Sequence, residues 1–206
     1  VKFPTITKDK PLILASKSPR RRRLLEQLRL PFRIEVSGIQ EENHFTSPFE
    51  LVRALAIDKA THVNKSAGES WILGADTIVE IGGLILGKPE DDAQVRKMLN
   101  LLSGKTHRVL TGFSLVAPGG AVAHAEVVCT EVKIKELSPK EIEAYIQTGE
   151  PFGKAGSYAI QGIGAFMVEY IYGSYTNVVG LPLCALVKAL LSSGALECFP
   201  TVSLDT

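Results

Sequence analysis

The chain has 206 residues, 45% of them apolar and 22% charged, a composition that fits one globular domain with a substantial core and excludes a disordered chain. Lys plus Arg number 23 against 22 Asp plus Glu, a net charge of +1, so the broad basic surface of a general nucleic-acid binder is not expected and any anion site has to be local. The three cysteines, Cys129, Cys184 and Cys198, match neither a disulfide framework nor a zinc site; no apolar run nears the roughly 20 residues of a membrane span, and the first residues hold no signal-peptide core, so a cytoplasmic protein is expected, with a segment ahead of Val1 left open.

The apolar run Leu12 to Ala15 reads as a short buried strand, and the following Ser16-Lys17-Ser18-Pro19 turns into a helix extending to about Leu28. Pro19 suits the first helical position because its missing N–H costs nothing there, and Ser18 is the natural N-cap. Such a helix start offers unpaired N–H groups and the positive end of a dipole, and Arg20 to Arg23 add guanidinium groups in the first turn, which describes an anion site. The alternative is a solvated basic face. Consecutive helical residues point about 100° apart, so some of the four must face water; Arg20 and Arg21, nearest the N-terminus, are the candidates.

Phe32 to Val36 alternates at period two and predicts a half-buried strand. After the polar stretch Gln40 to Asn43, Ser47-Pro48-Phe49-Glu50 is a capping box opening a helix to about Asn64. Val52, Ala56, Lys59 and Val63 share one face of it; Lys59 either snorkels to water or aims its ammonium at a buried anion. Trp71 to Ala75 predicts a buried strand that Thr77 to Ile81 prolong to a Gly82-Gly83 turn and a hairpin into Leu84 to Leu86. Asp76 stands at the carboxyl end of the buried run, where open α/β sheets place ligands. A lysine, an arginine or a metal ion must then hold it ionised, unless it merely caps a local turn.

Gly82 to Pro89 nearly matches a P-loop, but Pro89 supplies neither hydroxyl nor N–H, so the pattern is rejected while Lys88 stays a candidate phosphate ligand. A helix follows from Asp91-Asp92 to about Leu102, then two long strands, Arg108 to Ala117 and Ala121 to Lys135. Ser138-Pro139-Lys140-Glu141 is a second capping box, and Gly149 closes its helix. The glycine-rich segment Gly153 to Gly164, bearing Lys154 and Gln161, leads to a strand over about Phe166 to Tyr172, and Leu181 to Ser192 is the last helix. None of His44, His62, His107 and His124 has metal-pair spacing or a nucleophile beside it, and none is given a catalytic role.

Ser16-x-Ser18-Pro19-Arg20-Arg21, Lys59-Ala60, Gly74-Ala75-Asp76-Thr77, Lys88-Pro89, Ser103-Gly104, Thr111-Gly112, Gly149-Glu150-Pro151, Lys154-Ala155-Gly156, Ile160-Gln161-Gly162 and Val179-Gly180-Leu181-Pro182 occur in an order that closely resembles the Maf family. The resemblance implies a single α/β domain over residues 1–206, with 1–10 and about 195–206 as peripheral tails. Its elongated mixed sheet with flanking helices would be similar to that of inosine triphosphate pyrophosphatase. It implies a nucleoside triphosphate pyrophosphatase releasing a nucleoside monophosphate and pyrophosphate with Mg2+ or Mn2+. A nucleotide-binding regulator of division that does not hydrolyse its ligand is the alternative. By resemblance Asp76 is the catalytic carboxylate and, with Glu41, a metal ligand; Arg20, Arg21, Lys59 and Lys88 bind the triphosphate, and Ser16 and Lys154 lie near the phosphates. Thr77 and Gln161 look like the dTTP/UTP subgroup, modified pyrimidine nucleotides being further candidates. Gly153 departs from the aspartate usual before the lysine. No nucleic-acid polymer and no membrane are implied as partners, and a homodimer is compatible with the resemblance.

Overall fold

The computed structural model describes residues 3–36, 47–67 and 69–200. Strands β1 (Leu12–Leu14), β2 (Phe32–Ile34), β3 (Ile72–Ile81), β4 (Leu84–Leu86), β5 (Thr106–Val116), β6 (Val122–Ile134) and β7 (Val168–Tyr172) form one mixed sheet in the order β2-β1-β3-β5-β6-β7, with β4 paired to β3. β1 runs parallel to β2 and β3, while the β3–β4 and β6–β7 pairs are antiparallel. The helices are α1 (Pro19–Gln27), α2 (Pro48–Ala67), α3 (Asp92–Leu102), α4 (Pro139–Gln147), α5 (Tyr175–Val179) and α6 (Leu183–Ser192).

Local rules account for most of these boundaries. Ser18 caps α1, its hydroxyl accepting from Arg21 N, and Asp91 caps α3 through Gln94 N. The Ser138–Glu141 capping box is complete, and Gly149 leaves α4 with φ 69°. In the β3–β4 turn Gly82 and Gly83 both take positive φ. There Gly83 N donates to the buried Glu80 carboxylate, which Arg108 holds below the ordinary glutamate range through a 2.6 Å hydrogen bond.

Four boundaries differ from expectation. β2 stops at Ile34 and lies at the edge of the sheet, where, among the described residues, Arg33 and Ile34 are exposed. α2 continues to Ala67, since no breaker follows Asn64. Phe166 and Met167 belong to a 3-10 turn over Ile163–Met167, so β7 starts at Val168. Gly180 has φ 125° and Leu181 and Pro182 are not helical, so α6 starts at Leu183.

The chain groups into two compact units, one of Val1–Asp76, Gly112–Val127 and Gly180–Thr206, the other of Thr77–Thr111 and Val128–Val179; β3, β5 and β6 contribute residues to both. In the first unit, Ile13, Ala15 and Ile72 pack with Ala60 and Val63 of α2 and with Val116. In the second, Val79, Val109 and Val132 of the sheet bury Val95, Leu99 and Leu102 of α3 and Ile142, Tyr145 and Ile146 of α4. Among the described residues, no helix is long and apolar enough to cross a membrane.

His107 sits in this second core, 2% exposed, with Nε2 2.8 Å from the Tyr158 hydroxyl. Burial pushes its imidazole from 6.5 down to about 4, against a smaller upward pull from Glu80. A base whose folded pKa is depressed takes up its proton more readily when unfolded, so stability is whole above about pH 6.5 and is lost as pH falls through about 4. The full loss is on the order of 3 kcal/mol. The expected result is a urea midpoint that declines from pH 6.5 towards pH 4, and a shallower decline in His107→Gln; equal slopes would contradict it.

Candidate active site

β3 is buried along its whole length except at Asp76 and Thr77, which are half-buried. The break is made by two adjacent polar residues, each tied to a different partner. In the first unit, Lys59 Nζ donates to Asp76 Oδ1 at 2.5 Å, with the two side chains 16% and 15% exposed. Of the two options open for Lys59, its ammonium takes the anion. The contact depends on how closely α2 lies against the sheet. A Cβ on Gly74 would stand 2.2 Å from Ala56 O and 2.7 Å from Ala60 N, and one on Gly112 would stand 2.3 Å from Val52 O. Glycine at these two strand positions brings the helix down on the sheet with Lys59 facing Asp76.

The parallel register of β1 with β3 pairs Ile13 with Ile72 and Leu14 with Leu73, and Ala15 N donates to Leu73 O. The chain therefore leaves β1 alongside Gly74 and Ala75, just before Asp76. Ser16 follows, buried, with its Oγ accepting from Ser18 N and from Arg21 Nη1, both at 3.2 Å. Because both are accepted bonds, the Ser16 hydrogen itself is left to donate. Arg21 Nε also donates to Gly180 O at 2.8 Å, which pins the guanidinium between the start of α1 and the Gly180 turn. Arg20 is half-buried, and burial pushes its guanidinium below the ordinary arginine value. Arg22 and Arg23 face solvent, Arg22 pairing with Glu26 one turn on. No acidic residue stands in the first turn of α1 to offset these charges.

The second unit holds Thr77, Lys88, Lys154 and Gln161. Lys88 and Gln161 are exposed. Gly156 N donates to Gly87 O at 3.1 Å, which ties the Gly-Lys-Pro turn to the segment just after Lys154. Lys154 Nζ donates to Glu150 O. Glu150, to which no role was assigned, organises the glycine-rich segment: its carboxylate accepts from Ile163 N at 3.0 Å, Gly164 N at 2.8 Å and the Tyr145 hydroxyl at 2.9 Å. Burial works to raise the Glu150 carboxyl, but these donors and the Lys154 charge together hold it below its ordinary value. A Cβ on Gly162 would meet Glu150 Oε2 at 2.4 Å. The sequence signal was a carboxylate placed directly after the helix-closing Gly149 and ahead of a glycine-rich loop. Thr111, quoted only within a family motif, and Asn177, to which no role was assigned, connect to Thr77 through a part-buried and then a buried hydrogen bond. Glu41 lies outside the described residues.

A mixed seven-stranded sheet with helices, a half-buried acid–lysine pair at the break of one of its strands and arginines at a proline-started helix terminus define an α/β protein with a cationic helix start and a lysine-paired carboxylate. The sequence model of the Maf-like protein family matches residues 11–193, and the chain belongs to that family. It is 50% identical to a dTTP/UTP pyrophosphatase of Bacillus cytotoxicus over 90% of this chain and 98% of that one. It is also 50% identical to a dTTP/UTP pyrophosphatase of Halalkalibacterium halodurans, over 90% of this chain and 97% of the relative. Among solved structures, a nucleoside-triphosphatase, dITP/XTP pyrophosphatase, of Mycobacterium abscessus aligns with a TM-score of 0.39 and 16% identity, over 67% of this chain and 93% of that one.

Proposed function

We propose that this chain hydrolyses dTTP and UTP to the nucleoside monophosphate and pyrophosphate. Family membership and the names of relatives at 50% identity support the reading. The observation that carries its chemistry is the Lys59–Asp76 pair at the one half-exposed stretch of β3.

In the proposed reaction water oxygen bonds to the α-phosphorus, the bond from that phosphorus to the α–β bridging oxygen breaks, and pyrophosphate leaves with the electron pair. Such transfers depend chiefly on positioning and on neutralising the charge that moves onto the leaving oxygens. Asp76 accepts the proton of the attacking water or holds the cation beside it, and Lys59 holds that carboxylate in place. Arg20, Arg21, Ser16, Lys88 and Lys154 are assigned to the phosphates, and Thr77 and Gln161 to the base.

Mg2+ or Mn2+ is the proposed cation. Among the described residues no three His, Cys, Asp or Glu side chains cluster as a ligand set. The donor present, a half-buried carboxylate, fits an ion that is usually held by one or two carboxylates together with the substrate's own phosphates. When bound, such an ion lowers the pKa of water and screens the phosphates. Asp76 would hold it, with Glu41 as the second proposed ligand.

The test mixes the purified chain with a panel of triphosphates and Mg2+ and measures pyrophosphate. Release from dTTP and UTP ahead of the purine triphosphates, abolished by EDTA and restored by added Mg2+, is the expected result. Tight dTTP binding with no pyrophosphate would replace this reading with that of a nucleotide-sensing regulator.

A further inference from the structure

In the second unit Ala159 and Gly164 are buried while Gln161, Gly162 and Ile163 between them are exposed, which makes a tight loop with buried feet and Gln161 at its tip. The feet touch. A Cβ on Gly164 would stand 2.7 Å from Ala159 O and 2.6 Å from the Tyr145 hydroxyl. The Glu150 carboxylate closes them: it accepts from Ile163 N and Gly164 N, which open the 3-10 turn whose leading Gly162 has no side chain to cap it. Glu150 also accepts from the Tyr145 hydroxyl, and that hydroxyl takes a hydrogen bond from the Ala159 backbone, so the loop is tied on both sides of Gln161. The fastening is stiff. Tyr145 and Met167, at the far end of the 3-10 turn, are both buried in the core. Gly162 takes φ 103° and ψ −154°, a conformation closed to residues with a side chain, and its bare Cα lets Glu150 Oε2 sit against the chain directly after Gln161.

We propose that Glu150 is a positioning residue for base recognition: its carboxylate closes the feet of the Ala159–Gly164 loop, so that the Gln161 amide meets the base from one fixed place. The inference rests on the reading above that Gln161 meets the base. Gln161 is exposed, and its long side chain carries rotamer freedom that binding has to remove. A backbone already held in place leaves less to be ordered when the base arrives. The task needs a carboxylate rather than an amide, because Ile163 N, Gly164 N and the Tyr145 hydroxyl all donate and a carboxylate only accepts. Glutamine at this position would turn its NH2 group towards the N–H of either Ile163 or Gly164, donor against donor, and loosen that foot.

The test measures kcat and KM for dTTP by pyrophosphate release in the wild type, Glu150→Gln, Gln161→Ala and the double variant. Glu150→Gln is expected to raise KM about tenfold, the worth of one lost hydrogen bond, with kcat little changed, because the base is held equally before and during attack on the α-phosphorus. In the Gln161→Ala background the same substitution is expected to leave KM where Gln161→Ala alone puts it. An equal rise in both backgrounds, or an unchanged KM in folded Glu150→Gln, overturns the proposal and leaves the pyrophosphatase reading standing. Should Glu150→Gln not fold, Tyr145→Phe decides, since it keeps the buried ring and removes the hydroxyl: KM must rise, and only where Gln161 is present, and any other pattern overturns the proposal. A Gln161→Ala protein with the KM of the wild type takes Gln161 off the base and overturns the proposal with it. A wild type that releases no pyrophosphate removes the pyrophosphatase reading and the proposal together.

Discussion

Asp76→Asn is expected to lower kcat for dTTP by about 10³-fold while leaving the fold intact, since a positioned general base contributes about 10²–10⁴-fold and this substitution also removes the charge that would hold a cation. Asparagine keeps the size of the side chain and its ability to meet Lys59, so α2 has no reason to move. The loss should fall on kcat rather than KM, because an interaction needed only as the water attacks leaves substrate binding in place. Lys59→Met sharpens the test. If Lys59 works through the carboxylate that it contacts at 2.5 Å, the double variant with Asp76→Asn should be no slower than Asp76→Asn alone. A folded Asp76→Asn protein with ordinary turnover would remove Asp76 from the chemistry, and a double variant slower than both single ones would give Lys59 an independent role on the phosphates.

What could be read from the sequence was local, and what could not was a matter of partners far along the chain. The Ser18 cap, the Ser138–Glu141 box, the Gly82-Gly83 hairpin and the exit of α4 at Gly149 each depend on residues within a few positions, and each is where the spacing puts it. Lys59 was visible as a cation on an apolar helical face, but periodicity does not tell where an ammonium goes. The choice between water and an anion was made by Asp76, 17 residues away on another element. Glu150, Thr111 and Asn177 escaped for the same reason. A glutamate after a helix-stop glycine, a threonine inside a strand and an asparagine in a five-residue helix look ordinary until the chain brings Ile163 N, Thr77 Oγ1 and Val109 O to them. Gly74 and Gly112 did carry a signal, since an isolated glycine within a strand marks a bulge or a close backbone approach.

That close approach sets the second large effect. Gly74→Ala is expected to destabilise the protein by about 3 kcal/mol or more, at or beyond the upper end of ordinary overpacking. The added methyl would stand 2.2 Å from Ala56 O, 2.7 Å from Ala60 N and 2.9 Å from Ala60 Cβ. Two of these atoms are helix backbone, so no side-chain rotation relieves the clash, and α2 must lift away from β3. Lys59 lies between Ala56 and Ala60 in the chain, on the turn that has to move. Gly74→Ala should therefore lose activity even where enough of it remains folded, whereas a purely thermal defect would disappear on cooling. Gly87→Ala is the matched control: a Cβ there meets nothing within 4 Å and φ is not positive, so its urea midpoint should stay near that of the wild type. A Gly74→Ala protein as stable and as active as Gly87→Ala would mean that α2 does not need the sheet's bare backbone to set Lys59 against Asp76.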